Sequence, residues 1–395
     1  MAALSTVAIL VVASVASLFT AWTIGGGSSG STPFAPAVSA GAIPTMRAAF
    51  IVGILGFAGA VLQGAAVSHT VGEGLIGGVT LSPVAVTVAL VVAAGLIAIG
   101  VFAGYPIATA FTVTGAVVGV GLALGGDPVW SEYTIIVALW VLTPPIGIAA
   151  AYVTARLLRG ERVSERVLLP ALGGIVGLIV ANMRFSLLGA PGEAASVASA
   201  IAARFSGPGI VLQAAVALVF ALVLASVIAR ATARNADATR RQFLLALGAL
   251  VAFSAGGGKV GLAVGPLLPL LESLPFSIPI IVVLAGGGFG LLVGSWMVAP
   301  RMIKALTQDY SELGPRRSIA VLVPAFAIAQ AAIFYGLPMS FNEIFVSAII
   351  GSGYAAGGDS VSPSKTGYTA LAWIGSLILS FGVSYAGYEA IAVFL

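Results

Sequence analysis

Residues 104–121, "GYPIATAFTVTGAVVGVG", and residues 336–353, "GLPMSFNEIFVSAIIGSG", align without a gap at a separation of 232 residues. A second pair of stretches, "GGGSSGSTPF" from Gly25 and "GGGKVGLAVGP" from Gly256, lies 231 residues apart. Two unrelated patterns recurring at one spacing divide the chain into two equivalent halves. The halves are expected at 1–155 and 242–395, with 156–241 joining them.

The composition says where such a chain lives. Hydrophobic residues make up 59% and charged residues only 8%, against about 25% charged in a soluble domain. The mean hydropathy is +1.13. Apolar runs occur near 3–24, 48–68, 80–102, 106–125, 133–155, 167–187, 208–230, 242–257, 276–299, 317–335, 340–357 and 367–392. A membrane-spanning helix needs roughly 20 such residues, so about 10–12 membrane segments are expected. The fold class is an all-α polytopic membrane protein, because open strands leave backbone groups unsatisfied in lipid. Residues 2–24 carry no charge, and the basic segment that would open a secretory signal is missing, so this run is expected to be a retained first membrane helix. No soluble domain is foreseen. The segments at 25–45, 104–125, 256–272 and 336–357 read as broken or re-entrant.

Charge distribution orients the halves. Arg156, Arg159, Arg162 and Arg166, then Arg230, Arg234, Arg240 and Arg241, flank one helix pair and read as cytoplasmic loops. Residues 69–79 contain no Lys or Arg, whereas the corresponding loop at 300–318 contains Arg301, Lys304, Arg316 and Arg317. Equivalent loops of opposite bias lie on opposite sides of a membrane, so the two repeats are expected to be inverted, the build of many secondary transporters. A multi-pass protein of the cell membrane follows.

Several chemistries are excluded. With no cysteine and the single histidine His69, disulfides, thiolate metal sites and histidine-rich centres are out, and no cofactor is expected. The net charge of +4 does not suggest nucleic acid. Both glycine triplets fit G-x-G-x-x-G, but neither has the preceding strand and following acid of a dinucleotide site. The lone S-x-x-K, Ser362 to Lys365, lies in a polar loop and gives little support to an intramembrane hydrolase.

What remains is anion chemistry. An interrupted helix leaves backbone amides whose dipole favours an anion. Gly27, Gly257 and Gly258 are therefore candidate binding positions, together with Ser28, Ser29, Ser31 and Thr32 after the first triplet. The alternative is that the glycines only pack or kink helices. In the pair of stretches at 104–121 and 336–353, Ser340 and Glu343 form a capping box at a helix start, with Asn342 in the same turn. Thr109 and Thr112 occupy the corresponding turn of the first half. Lys259 follows three glycines in an apolar run, and an isolated charge at mid-membrane costs roughly 2.5–3.5 kcal/mol, which usually marks function. Lysine also suits phosphate as a point charge. If its helix is continuous, however, Lys259 lies about 25 Å beyond Arg241 and could snorkel to the far interface.

These stretches are similar to the signatures of the inorganic phosphate transporter family, a G-A-N-D-V-A-N-like and a G-x-P-x-S-T-T-H-like motif in each half. "VLQGAAVSHTV" (61–71) and "LLVGSWMVAPRMI" (291–303) resemble its G-x-x-V turns, and the likeness covers nearly the whole chain. The resemblance implies import of inorganic phosphate by alternating access. Its motif aspartates and asparagines are associated with cation and phosphate binding, yet here the second aspartate position is Lys259, the asparagine before it Gly258 and the later one Leu262. In the first half Ser28 and Ser31, or one residue on Ser29 and Thr32, stand there. The S-T-T-H positions read Ala108, Thr109, Ala110, Phe111 and Ser340, Phe341, Asn342, Glu343, so both motif histidines are replaced. Loss of the aspartates disfavours sodium coupling and leaves Glu343 as the candidate proton carrier, cap or partner of Lys259. Sulfate and a facilitative anion pore are the rival readings, and the chain could assemble as a homodimer.

Overall fold

The computed structural model describes residues 2–160, 163–189, 193–309, 313–358 and 361–394. Each of the twelve apolar runs is a helix. In chain order the first half contains α1 (Ala2–Ile24), α2 (Ala35–Ser39), α3 (Thr45–Gln63), α4 (Ala65–Glu73), α5 (Pro83–Ala103), α6 (Thr109–Ala123) and α7 (Trp130–Arg159). Next follow α8 (Glu165–Asn182), α9 (Val197–Ala202) and α10 (Gly209–Arg234). Then come α11 (Ala236–Val264), α12 (Leu268–Glu272), α13 (Ile280–Met297), α14 (Ala299–Asp309), α15 (Pro315–Phe334), α16 (Phe341–Ala355) and α17 (Pro363–Ala392). Ten helices among the described residues are long and apolar enough to cross a membrane; α6 and α16, at 15 residues each, are shorter. Strand structure in the described residues is confined to two antiparallel pairs of two-residue strands.

The element bounds repeat. α5 begins at 83 and α15 at 315, α6 at 109 and α16 at 341, α7 at 130 and α17 at 363, offsets of 232, 232 and 233. Packing between the halves is reciprocal: α6 lies on α17 and α16 on α7, while α3 lies on α11 and α1 on α13. The first helices of the halves run antiparallel, since Ser17 Oγ donates to the Ala263 carbonyl at 2.8 Å while Phe34 packs on Gly248.

One face gathers the arginines. Glu165 bridges Arg240 at 3.1 Å and Arg316 at 2.9 Å, and Arg240 also pairs with Asp237. Arg241 and Arg301 donate to the Ala42 and Phe102 carbonyls. The loop holding Arg301 and Arg316 thus shares a face with the arginine clusters, whereas His69 pairs with Glu73 (3.5 Å) at the opposite end of α3. Arg162 lies outside the described residues.

Small residues set the helix spacing. A Cβ on Gly256 would collide with the Gly56 carbonyl of α3, and one on Gly59 with the Phe253 carbonyl of α11. The mirror contacts in the other half pair Gly25 with Leu291 and Gly294 with Trp22. Close backbone approach of this kind is how helices associate where lipid offers no hydrophobic drive.

The breaks expected within 25–45 and 256–272 are present, but the second does not fall at its glycine triplet. The helix does not break at Gly256–Gly258: α11 runs through the triplet to Val264, and the break falls at the 3₁₀ turn Gly265–Leu267. In the first half the triplet opens a π-helical turn, Gly25–Ser29, that continues from α1. Close packing explains why glycine is needed at these positions without any interruption. The breaks at 104–108 and 336–340 stand, and their cause is local. Gly104 (φ +76°) and Gly336 (φ +67°) take left-handed backbone, with the bonds Tyr105 N to Gly100 O and Leu337 N to Ala332 O closing the preceding helices. The residues before Pro106 and Pro338 are kept out of the helical region, so neither tip continues as helix, and the first closes a tight turn from Ile107 N to Tyr105 O at 2.9 Å.

Candidate functional site

The two tips meet beside α11 in the buried centre. Lys259 is 0% exposed, and its Nζ donates to Thr109 Oγ1 at 2.7 Å and to the Met339 carbonyl at 2.6 Å. The ring of Phe341 lies 5.7 Å from Nζ, within cation–π range. Snorkelling is thereby excluded: the ammonium points into the protein and is held by both halves. Thr109 opens α6 and Met339 precedes the start of α16, so α11 supplies the cation and the tips supply its acceptors.

Asn342 makes the second cross-link. Its Nδ2 donates to the Ile107 carbonyl at 2.7 Å and the Gly27 carbonyl at 3.1 Å. Its Oδ1 and Ser28 Oγ are buried and have no hydrogen-bond partner. Buried polar atoms are normally satisfied; of these two, the Asn342 amide oxygen can only accept, whereas the Ser28 hydroxyl can donate or accept.

Glu343 is 2% exposed. Its backbone N–H donates to Ser340 Oγ at 3.4 Å, which forms the Ser340 arm of the expected cap. Among the described residues, Lys259 and Glu343 are the only Asp, Glu, Lys or Arg side chains buried from solvent. They act on each other electrostatically, yet no ion pair of 4 Å or less joins them.

The remaining sequence candidates are buried at the same level but differently engaged. Ser29 donates to Ile24 O, Ser31 and Thr32 to Ser28 O, and Thr112 to Ala108 O, so each hydroxyl proton is taken up by its own segment. Their oxygens can still accept, but these side chains offer an anion no free donor here. Gly257 and Gly258 lie inside α11, where their amides are helix-bonded; the expected amide cradle after the second triplet is absent for that reason. Gly27 takes part through its carbonyl, as an acceptor. Ser362 Oγ accepts from the Lys365 backbone N–H at 3.4 Å and caps α17, which accounts for the S-x-x-K pattern structurally.

Sequence reasoning missed the backbone carbonyls of Ile107 and Met339, which carry the site as much as any side chain. The aligned prolines at 106 and 338 were the available signal: proline in mid-membrane leaves neighbouring carbonyls in need of donors.

Residues 25–384 match the profile of the Phosphate transporter family. The chain belongs to that family. Within it, the chain is 24% identical over 403 residues to "Inorganic phosphate transporter 2-1, chloroplastic" of Arabidopsis thaliana, covering 90% of this chain and 68% of that one. Its fold is similar to a solved structure titled "The sodium-dependent phosphate transporter", with a TM-score of 0.80 at 23% identity, covering 98% of this chain and all of the other. It is also 26% identical over 386 residues to a "Putative phosphate permease" of Chlamydia trachomatis, covering 88% of this chain and 90% of that one. The chain is accordingly a multi-pass membrane transporter, and the buried Lys259 centre lies inside the matched region.

Proposed function

We propose that the protein imports inorganic phosphate as a secondary transporter, with Lys259 as a fixed cation at the substrate site. The observation that carries this is the Lys259 ammonium, fully buried and held between the tips of the two halves. The ammonium stands where the family signature has an aspartate and is ligated by a hydroxyl and a carbonyl, the ligand types a sodium ion would use. A tethered cation removes the need to bind a free one.

An oxyanion entering between the tips would draw the ammonium away from the neutral Met339 carbonyl, because an anion adds direct charge–charge attraction to the bond the ammonium makes with a carbonyl dipole. Asn342, Ser28, Ser340 and Thr109 are placed to follow. The reading assigns 1–155 and 242–395 to inverted repeats and 156–241 to the link between them. The repeated element bounds, the reciprocal packing and the antiparallel α1 and α11 support it. Exchange of the two halves' packing would then open the centre alternately to each side.

Coupling is assigned to protons, with Glu343 as their carrier. Glu343 is the one buried carboxylate among the described residues, and phosphate near neutral pH still has a proton to share with it. Glu343→Gln is expected to keep phosphate binding and to lose accumulation driven by an inward proton gradient. Gradient-driven accumulation that survives the substitution would remove Glu343 from the coupling scheme.

Uptake of labelled phosphate into proteoliposomes, with unlabelled sulfate as competitor, tests the substrate. Uptake that resists excess sulfate supports phosphate; uptake abolished by sulfate makes the protein a sulfate permease. Equilibration without accumulation under any imposed gradient would indicate a facilitative pore.

A further inference from the structure

The four carbonyls at the tips are satisfied in a regular way. In each tip the proline carbonyl and the next carbonyl have partners on different elements. In the second tip the Met339 carbonyl faces inward to Lys259, while the preceding Pro338 carbonyl faces outward and accepts from the Trp140 indole N–H at 2.9 Å. In the first tip the Ile107 carbonyl faces inward to Asn342, while the Pro106 carbonyl accepts from the Trp373 indole N–H at 2.8 Å. Trp140 is on α7 of the first half and grips the second tip; Trp373 is on α17 of the second half and grips the first. Each indole is only 7% exposed. Tryptophan in membrane proteins commonly turns its N–H to the aqueous interface; these two turn it inward, onto the peptide next to the site.

We infer that Trp140 and Trp373 are positioning residues: each fixes the peptide plane before an inward carbonyl, and so aims the helix start and carbonyl that face the substrate. The inference rests on the phosphate reading above. When an anion recruits Lys259 and Asn342, the inner carbonyls lose their donors and the indoles become the bonds that hold each tip in place. Without them a tip has orphan carbonyls inside the membrane, which favours collapse away from the site. Trp140 bears more of this duty, because its ring also stacks on Phe111 in the first turn of α6, just after the other tip, at 4.0 Å between centroids.

The test must remove the N–H and keep the ring. Incorporating 3-benzothienylalanine at position 140, then at 373, replaces the indole N–H by sulfur at nearly the same shape. Loss of one hydrogen bond at the substrate-facing tip is expected to raise the KM for phosphate uptake about fivefold, with Vmax within about twofold of wild type. The effect is expected to be larger at 140 than at 373. Amide exchange in peptides spanning 104–109 and 336–341 provides a readout that needs no transport, and is expected to quicken in the tip whose indole is altered. Wild-type KM together with wild-type exchange in both variants overturns the inference. Faster exchange in a protein whose wild type takes up no phosphate leaves the tip positioning intact and defeats the phosphate reading instead.

Discussion

Lys259→Met raises the KM for phosphate by at least about 30-fold, while thermal stability changes little. Truncating one member of a buried charge-bonded pair costs about 2–5 kcal/mol in binding, and 2 kcal/mol is about 30-fold. Methionine retains the volume and the apolar stem, so packing against Phe341 survives. Folding itself changes little, because relief of the cost of burying an ammonium offsets the roughly 1–3 kcal/mol of leaving the Met339 carbonyl without its donor. The pattern to look for is a transport defect without a melting defect, measured on the same detergent-solubilised protein. Lys259→Arg is expected to be nearly as impaired, since a planar fork cannot replace a point charge seated between Thr109 Oγ1 and the Met339 carbonyl, 2.7 and 2.6 Å away. A methionine variant with wild-type KM would reduce Lys259 to a structural tether.

Gly256→Val has the opposite signature: stability falls before any kinetic constant can be read. The added side chain meets the Gly56 carbonyl, and backbone on a packed helix does not swing aside as a flexible side chain does. Overpacking costs about 1–3 kcal/mol and occasionally more, and here the displaced contact lies on α3, which packs along the helix that positions Lys259. A lower melting temperature and loss of monodisperse protein are expected. Gly286→Val on α13, where a Cβ meets nothing within 4 Å, is the matched control and is expected to fold normally. Equal stability of the two variants would disprove the packing role assigned to the second triplet.

The contrast between the two glycine stretches shows what the sequence could and could not reveal. Twelve apolar runs became twelve helices because hydrophobic length in a bilayer leaves little else to form. The tips at 104–108 and 336–340 were readable because left-handed glycine and proline act locally. The triplet at Gly256 misled: three glycines signal a break and close packing equally well, and the deciding partner, the Gly56 carbonyl, is 200 positions away in the chain. Hydroxyls were legible as polar residues in an apolar run, but Ser31 and Thr32 turn back onto the Ser28 carbonyl, a choice made by backbone geometry. The indole grips were hidden for the same reason, with Trp140 and Pro338 separated by 198 residues. Lys259 was the exception. A single charge in so apolar a stretch marked the site as a candidate, and the structure decided between inward partners and snorkelling.

Phosphate uptake into sodium-free proteoliposomes under an inward proton gradient bears most directly on Lys259 as the built-in cation. The account predicts accumulation without sodium, no further gain when sodium is added, and collapse of accumulation when the proton gradient is dissipated. Uptake that begins only when sodium is supplied would contradict it and place a free cation at the site after all.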